Sequence, residues 1–292
     1  MIVKKCRVLA HTAIFALMVC FLAGCAAGKE ETTTSLSHGQ KLPVSFINPD
    51  GMTVKDRFPP PEGFSRIESE PGSFSEFLQA LPLKPDGSKV KYFDGREKAN
   101  DVYLAVVDYP LGSRDLQQCA DAVMRLRAEY LYDAGQHDKI HFNFVSGFTA
   151  EFSKWSNGYG IAVNGNDVSW TNNNKNNDSY ESFQNYLDVV YTYANTHSLE
   201  KEMVSKDMAD LAIGDVLIIG GFPGHCVIVV DMIIRESTGE KAFMLAQSYM
   251  PAQDIHILKG DHPESPWYTA DIQNALVTPE WTFKKDQLKT WQ

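Results

Sequence analysis

Three apolar runs in the C-terminal half limit this chain more than any other feature. Residues 216–219, 226–234 and 242–249 are short and rich in Val, Ile, Leu and Phe. The segments between them, Gly220-Gly221-Phe222-Pro223-Gly224 and Ser237-Thr238-Gly239-Glu240, are turn-forming. Runs of this length suit strands better than core helices, and turns this brief return each strand beside the one before it. The spacing therefore predicts an antiparallel sheet.

Helical patterns precede the sheet. Residues 73–81 read as a short helix, and residues 101–108 as a buried strand ended by Pro110 and Gly112. Asp115 can cap a helix carrying Leu116, Cys119, Val123, Leu126, Tyr130 and Leu131 at three- and four-residue spacing, the strongest helical pattern in the chain. Asp178 with Glu181 makes a capping box before a helix through Phe183, Tyr186, Leu187, Val190, Tyr191 and Ala194, and a third helix is expected from Ser198. Between these, residues 141–163 are aromatic without a single period, and residues 164–178 read as a polar loop. Helices first and an antiparallel sheet afterwards make an α+β domain, placed at residues 41–292.

The other end of the chain carries an address. Lys4, Lys5 and Arg7 precede an apolar run through Leu22 that is short for a membrane span, so residues 1–24 read as a signal peptide. The run closes on Leu22-Ala23-Gly24-Cys25, which resembles the lipobox of bacterial lipoproteins. That resemblance makes Cys25 the lipid attachment point and the membrane a partner through its acyl chains. Residues 25–40 lack apolar periodicity and read as a flexible tether. Ala26 after the lipid cysteine points to a lipid-anchored place in the bacterial cell envelope, at the outer membrane.

Charge narrows the function. The chain has 27 Lys and Arg against 37 Asp and Glu, a formal net charge of -10. The three leader cations removed, 24 stand against 37, a balance that argues against nucleic acid as a partner. Of 5 cysteines, Cys6 and Cys20 leave with the signal peptide and Cys25 takes lipid, which leaves Cys119 and Cys226. Two cysteines do not make a disulfide framework.

Three residues of the domain carry a candidate chemistry. Cys119 falls near the start of its helix, where unpaired N–H groups and the helix dipole favour a thiolate. His225 opens an apolar strand directly after the glycine-rich turn, a place from which an imidazole can act as a base. Gln247 is an isolated polar residue on the next strand, suited to hold the imidazole in one tautomer. If His225 points toward the helix bearing Cys119, alternation turns Cys226 to the opposite face, so both cysteines are expected to be free thiols, Cys119 reactive and Cys226 buried and inert.

The runs Leu116-Gln117-Gln118-Cys119-Ala120-Asp121-Ala122-Val123, Gly220-Gly221-Phe222-Pro223-Gly224-His225 and Leu245-Ala246-Gln247-Ser248-Tyr249-Met250-Pro251-Ala252-Gln253 resemble the family called domain of unknown function 4846. Helix-borne Cys119, then Gly214-Asp215 leading to His225, then Gln247, is more distantly similar to NlpC/P60 and CHAP domains. That resemblance implies a papain-like, NlpC/P60-like fold with helices packed on an antiparallel sheet. It also implies Cys119 as nucleophile, His225 as base and Gln247 as orienter in a cysteine hydrolase. The bond would be an amide or ester in peptidoglycan or another envelope peptide or glycan, with no metal and no organic cofactor. The residues beside Cys119 depart from the Asp-Cys-Ser-Gly of NlpC/P60, and the third position there is more often His or Asn. The alternative from another class is a non-catalytic surface lipoprotein that binds a glycan or peptide in the same cleft.

Overall fold

The computed structural model describes residues 47–292. The expected signal peptide, tether and lipid-attachment residue Cys25 lie outside the described residues. In chain order the described part begins with helix α1 (Val54–Arg57), strand β1 (Ser65–Arg66), helix α2 (Phe74–Gln79), strand β2 (Tyr103–Val106) and the long helix α3 (Cys119–Asp133). Hairpin β3 (His141–Asn143) and β4 (Thr149–Glu151) is followed by helix α4 (Phe152–Ser156). Hairpin β5 (Tyr159–Asn164) and β6 (Asp167–Asn172) then leads to helices α5 (Tyr180–Tyr193) and α6 (Thr196–Glu202). The sheet-forming segment supplies β7 (Val204–Ser205), β8 (Val216–Ile219), β9 (His225–Arg235), β10 (Glu240–Gln247), β11 (His256–Leu258) and β12 (Trp267–Thr269). The chain closes with hairpin β13 (Ala275–Val277) and β14 (Thr282–Lys284), then β15 (Leu288–Thr290).

One nine-stranded antiparallel sheet organises these elements, in the order β2-β11-β10-β9-β8-β15-β7, with β1 also on β9 and β12 also on β10. The fold is mixed α/β with a large antiparallel sheet. From His225 through Ile233 every residue of β9 is buried, because the sheet is covered on both faces. On one face Cys226, Ile228 and Val230 join Val123, Leu126, Phe183 and Leu187 of α3 and α5 in the larger core. On the other, Val227, Val229, Phe243 and Leu245 pack with Leu276 and Phe283 of the β13–β14 hairpin. Alternation along a strand makes this division automatic.

A bulge interrupts the alternation once. Met244 pairs with Asp231 and Leu245 with Val229, so Val230 is the extra residue. Beyond it Met232 joins the smaller core and Ile233 the larger, the reverse of the parity at Val227 and Ile228. Asp231 sits at this bulge with 0% exposure and accepts from Arg66 Nε on β1 (2.9 Å), Gln79 Nε2 on α2 (2.8 Å) and the N–H of Met232 (2.9 Å). Burial pushes its carboxyl up, opposed by the Arg66 guanidinium.

Several local expectations shift. Residues 164–178 are not a loop throughout: β6 pairs with β5 around a turn in which Gly165 takes φ 61°, and the strand is largely exposed, so it carries no apolar alternation to reveal it. Helix α3 starts at Cys119 behind Gln118, and Asp115 instead accepts from the N–H of Ala252 at 2.6 Å. The cap of α5 is Ser179, not Asp178. Helix α6 begins two residues before Ser198, because Asn195 accepts from the N–H groups of His197 and Ser198.

Removing the Asp231 carboxylate would leave the Arg66 and Gln79 donors facing a desolvated site. Asp231→Ala is expected to cost about 3–5 kcal/mol in urea unfolding, with Asp231→Asn costing less because it keeps an acceptor. A loss below about 1 kcal/mol for the alanine variant would mean that the network does not bind β1 and α2 to the sheet.

Candidate functional site

Cys119 is the first residue of α3, and the chain before it is tied to the segment that follows β10. The Ser248 hydroxyl lies 3.0 Å from the carbonyl oxygen of Gln117, and Ala252 N–H donates to Asp115. The N–H of Gln118 donates to Asp121 Oδ2 at 2.9 Å, which closes the first turn. These ties hold the tip of α3 against the ends of β9 and β10. Gly224 permits the approach on the other side, since a Cβ there would stand 2.4 Å from Gly221 O and 2.5 Å from Thr196 Oγ1.

His225 and Gln247 share the sheet face of the smaller core and meet at 2.8 Å, His225 Nε2 to Gln247 Oε1. The amide orientation is fixed by its nitrogen, which donates to Glu280 Oε2 at 2.7 Å and lies 3.4 Å from His256 Nε2. His256 Nδ1 in turn lies 2.8 Å from the carbonyl oxygen of Asp254, an acceptor only, so Nδ1 carries the His256 proton and Nε2 presents a lone pair. Gln247 Oε1 must therefore face His225, whose Nε2 is the protonated nitrogen. In the neutral ring Nδ1 is left with the lone pair. Tyr249 and Trp281 flank the imidazole, with ring centroids 4.7 and 5.2 Å away.

Cys119 shares the cleft lining with His225 and the larger core with Cys226, and both act on its thiol. A hydrogen bond from Cys226 and, against the effect of burial, the His225 imidazole hold Cys119 well below the usual cysteine range. Burial and the neighbouring Cys119 push the Cys226 thiol up. Both are free thiols. Their arrangement corrects the sequence expectation: Cys226 points to the α3 face, in the same core as Cys119, and His225 points to the other. The sulfurs are neighbours and not on opposite sides of the strand. His225 reaches Cys119 because it is the first residue of β9, where a side chain can turn past the end of the sheet.

Asp121, one turn into α3, is buried, and burial followed by the nearby Cys119 raises its carboxyl well above the usual range. Cys119, Asp121 and His225 line a cleft of about 770 Å³ whose walls include Leu116, Tyr191, Phe222, Tyr249, Met250 and Trp281. Phe222 and Met250 stand on its rim, 93% and 54% exposed. Among the described residues no lysine or arginine lines it. Among the described residues no group of three or more His, Cys, Asp or Glu is placed to hold a metal ion.

The structure thus brings Cys119, His225 and Gln247 together. Sequence reasoning missed Glu280, His256, Lys98, Tyr249 and Trp281. Lys98 donates to Glu280 Oε1 at 2.7 Å and to Gln253 Oε1 at 3.0 Å, and is 6% exposed. Trp155 lies in the core with its indole N–H on Ser182, and Trp170 packs on Phe148; neither lines the cleft.

The model of the family described as domain of unknown function (4846) matches residues 54–290, and the chain belongs to that family. No curated protein and no solved structure matches it.

His256 gives the site a pH signature. Burial, the largest cause, lowers its pKa from 6.5 to about 4. The unfolded chain binds this proton first, so the contribution is fully present above pH 6.5 and is lost as pH falls toward 4. The loss should reach about 3 kcal/mol. Chemical unfolding across that window should show it, and His256→Gln should flatten the acid limb; an unchanged limb would place the loss elsewhere.

Proposed function

We propose that this member of the domain of unknown function (4846) family is a cysteine hydrolase of papain-like layout, with Cys119 as nucleophile, His225 as base and Gln247 as orienter. The observation that carries the reading is the His225 Nε2 to Gln247 Oε1 bond of 2.8 Å, fixed in direction by Glu280. It leaves the lone pair on Nδ1, the remaining nitrogen of an imidazole that lines the same cleft as Cys119 and lowers its pKa. A base must have its lone pair, not its proton, toward the nucleophile. The placement of α3 against β9, with the cysteine at the helix start, also supports the layout.

The reaction follows from these groups. His225 takes the Cys119 proton, and the thiolate adds to the carbonyl carbon of an amide or ester, forming the C–S bond. The first N–H groups of a helix have no partner within it, and in this reading the Cys119 N–H, at the start of α3, receives the developing oxyanion. The intermediate collapses as the carbonyl re-forms, and the C–N or C–O bond breaks while the imidazolium gives its proton to the leaving atom. Water, deprotonated by His225, then adds to the thioester; the C–S bond breaks and the thiol pair is restored.

The cleft favours a substrate that is uncharged beside the scissile bond and presents flat or apolar groups. Aromatic walls and a lining without lysine or arginine offer stacking and no counter-charge for an anion. Within the proposed envelope setting, this selects those cell-wall or other envelope peptides or glycans whose reacting bond has no anionic group beside it. The leader and lipobox support a lipid-anchored envelope protein, with Cys25 as its attachment point. Replacing Cys25 should release the processed protein from membranes or block its processing; unchanged membrane retention of the mature form would rule the anchor out.

Cys119→Ala should abolish both hydrolysis of envelope-derived peptides and labelling by iodoacetamide, with only a small loss of stability. His225→Ala should lower turnover about 10²–10⁴-fold. Because Cys119 is held low, wild-type labelling should stay fast below pH 8 and fall only as pH drops through the lowered value. Labelling that appears only on unfolding would identify a core cysteine and end this reading.

A further inference from the structure

We infer that Glu280 and Lys98 are positioning residues that set the tautomer of His225 by fixing the direction of the Gln247 amide. The inference rests on the cysteine-hydrolase reading and concerns how its base is kept competent.

A glutamine amide fits its site equally well in two orientations unless its neighbours differ as donors and acceptors. Here they differ on one side only. Glu280 Oε2, 2.7 Å from Gln247 Nε2, accepts and cannot donate as a carboxylate. His256 Nε2, at 3.4 Å, is also an acceptor, for the reason given by its bond to Asp254. Turning the amide over would set Gln247 Oε1 against both of them. The orientation observed therefore presents an oxygen to His225 Nε2, at 2.8 Å.

The imidazole has no such preference of its own. With an acceptor at Nε2, the neutral ring carries its proton there and leaves the Nδ1 lone pair free to take a proton from the nearby thiol. With a donor at Nε2, the proton moves to Nδ1, where the ring cannot accept from the thiol, and the imidazolium needed beside a thiolate would face an N–H group. One amide turn thus converts a base into a spectator.

Glu280 can play this part only while its Oε2 faces Gln247, and Lys98 holds it there by the other oxygen. Its ammonium is 2.7 Å from Glu280 Oε1, with both side chains nearly buried. Loss of that ion pair would free the carboxylate to swing away from Gln247 and leave the amide without its fixed acceptor. Lys98 is held in turn by Gln253 Oε1 at 3.0 Å, on the segment that follows β10. The other titratable groups facing this chain are His256 and Tyr249, toward Glu280, and Cys226, Asp121 and Tyr249, toward Cys119.

Glu280→Gln tests the inference, because it conserves shape and reverses one hydrogen-bonding role. Lys98 requires an oxygen, so Gln at 280 would turn its amino group toward the Gln247 amino group, and the clash is relieved when Gln247 turns over. The measurement is the rate of Cys119 alkylation by iodoacetamide in the intact mature chain from pH 5 to 9, read by peptide mass, with thermal melting as the control for folding. The thiolate fraction should need higher pH, so alkylation near pH 6 should fall by about tenfold for each unit of displacement and converge with wild type at pH 9. Lys98→Met should displace the profile in the same direction, and Lys98→Arg should restore it. ¹⁵N–¹H correlation spectra of the neutral His225 ring should report a proton on Nε2 in wild type and on Nδ1 in Glu280→Gln. Superposable alkylation profiles for wild type, Glu280→Gln and Lys98→Met would overturn the inference, as would a wild-type proton on Nδ1. The spectrum of the wild type decides the matter even if the variants do not fold. A wild type unreactive near neutral pH would instead overturn the hydrolase reading itself.

Discussion

Strand β9 is the constraint from which the rest follows. It is long, apolar and covered on both faces, with Val227, Val229 and Val230 completely buried and Ile228 nearly so. Burying a side chain of this size contributes about 1.5–3 kcal/mol, so a few consecutive residues fix the strand against displacement in either direction. A slip by one residue would exchange the faces of Cys226, Ile228 and Val230 with those of Val227 and Val229, and neither core would fit. The bulge at Val230 is the one tolerated departure, and Asp231 beside it gathers β1 and α2 onto the sheet through Arg66 and Gln79.

The same rigidity gives the candidate site its precision, yet the site's own orientation comes from buried charge. Arg125 with Glu129 on α3, Asp231 with Arg66, and Glu280 with Lys98 are each largely withdrawn from water. Such pairs add little net stability relative to apolar packing, but they penalise any arrangement that separates them. Around Cys119 this matters more than energy. Arg125 Nη1 also donates to Gln117 Oε1 at 2.5 Å, so the residues leading into the helix are held from α3 itself as well as from Ser248 and Ala252.

The sheet was legible from sequence because its strands are apolar runs between turn residues, and α3 and α5 because their apolar spacing is helical. The β5–β6 hairpin was not, since its exposed residues carry no apolar alternation. Caps shifted by one to three residues where two polar residues compete: Ser179 outranks Asp178, and Asp115 is occupied with Ala252. At the site, Cys119, His225 and Gln247 stand out as polar or reactive groups at the ends of apolar elements. Glu280 and Lys98 do not stand out. They are separated by 182 residues in sequence and join only in the folded chain, and no local pattern encodes a pair of that kind.

Opposite faces of a strand do not keep His225 and Cys226 apart. Alternation assigns successive residues to opposite faces, and it did so here, with His225 on one and Cys226 on the other. What it cannot say is that residues on opposite faces are far from a common third group. Cys119 lies at the tip of a helix, and His225 and Cys226 lie at the first positions of a strand, so at this end of the sheet both act on a single thiol. The consequence is chemical. Two thiolates in contact in a buried site would repel, so the pair holds at most one negative charge. Cys226 is completely buried and has the higher tendency to keep its proton, whereas Cys119 has the imidazole and the helix start. The charge therefore belongs on Cys119, with Cys226 as its hydrogen-bond donor.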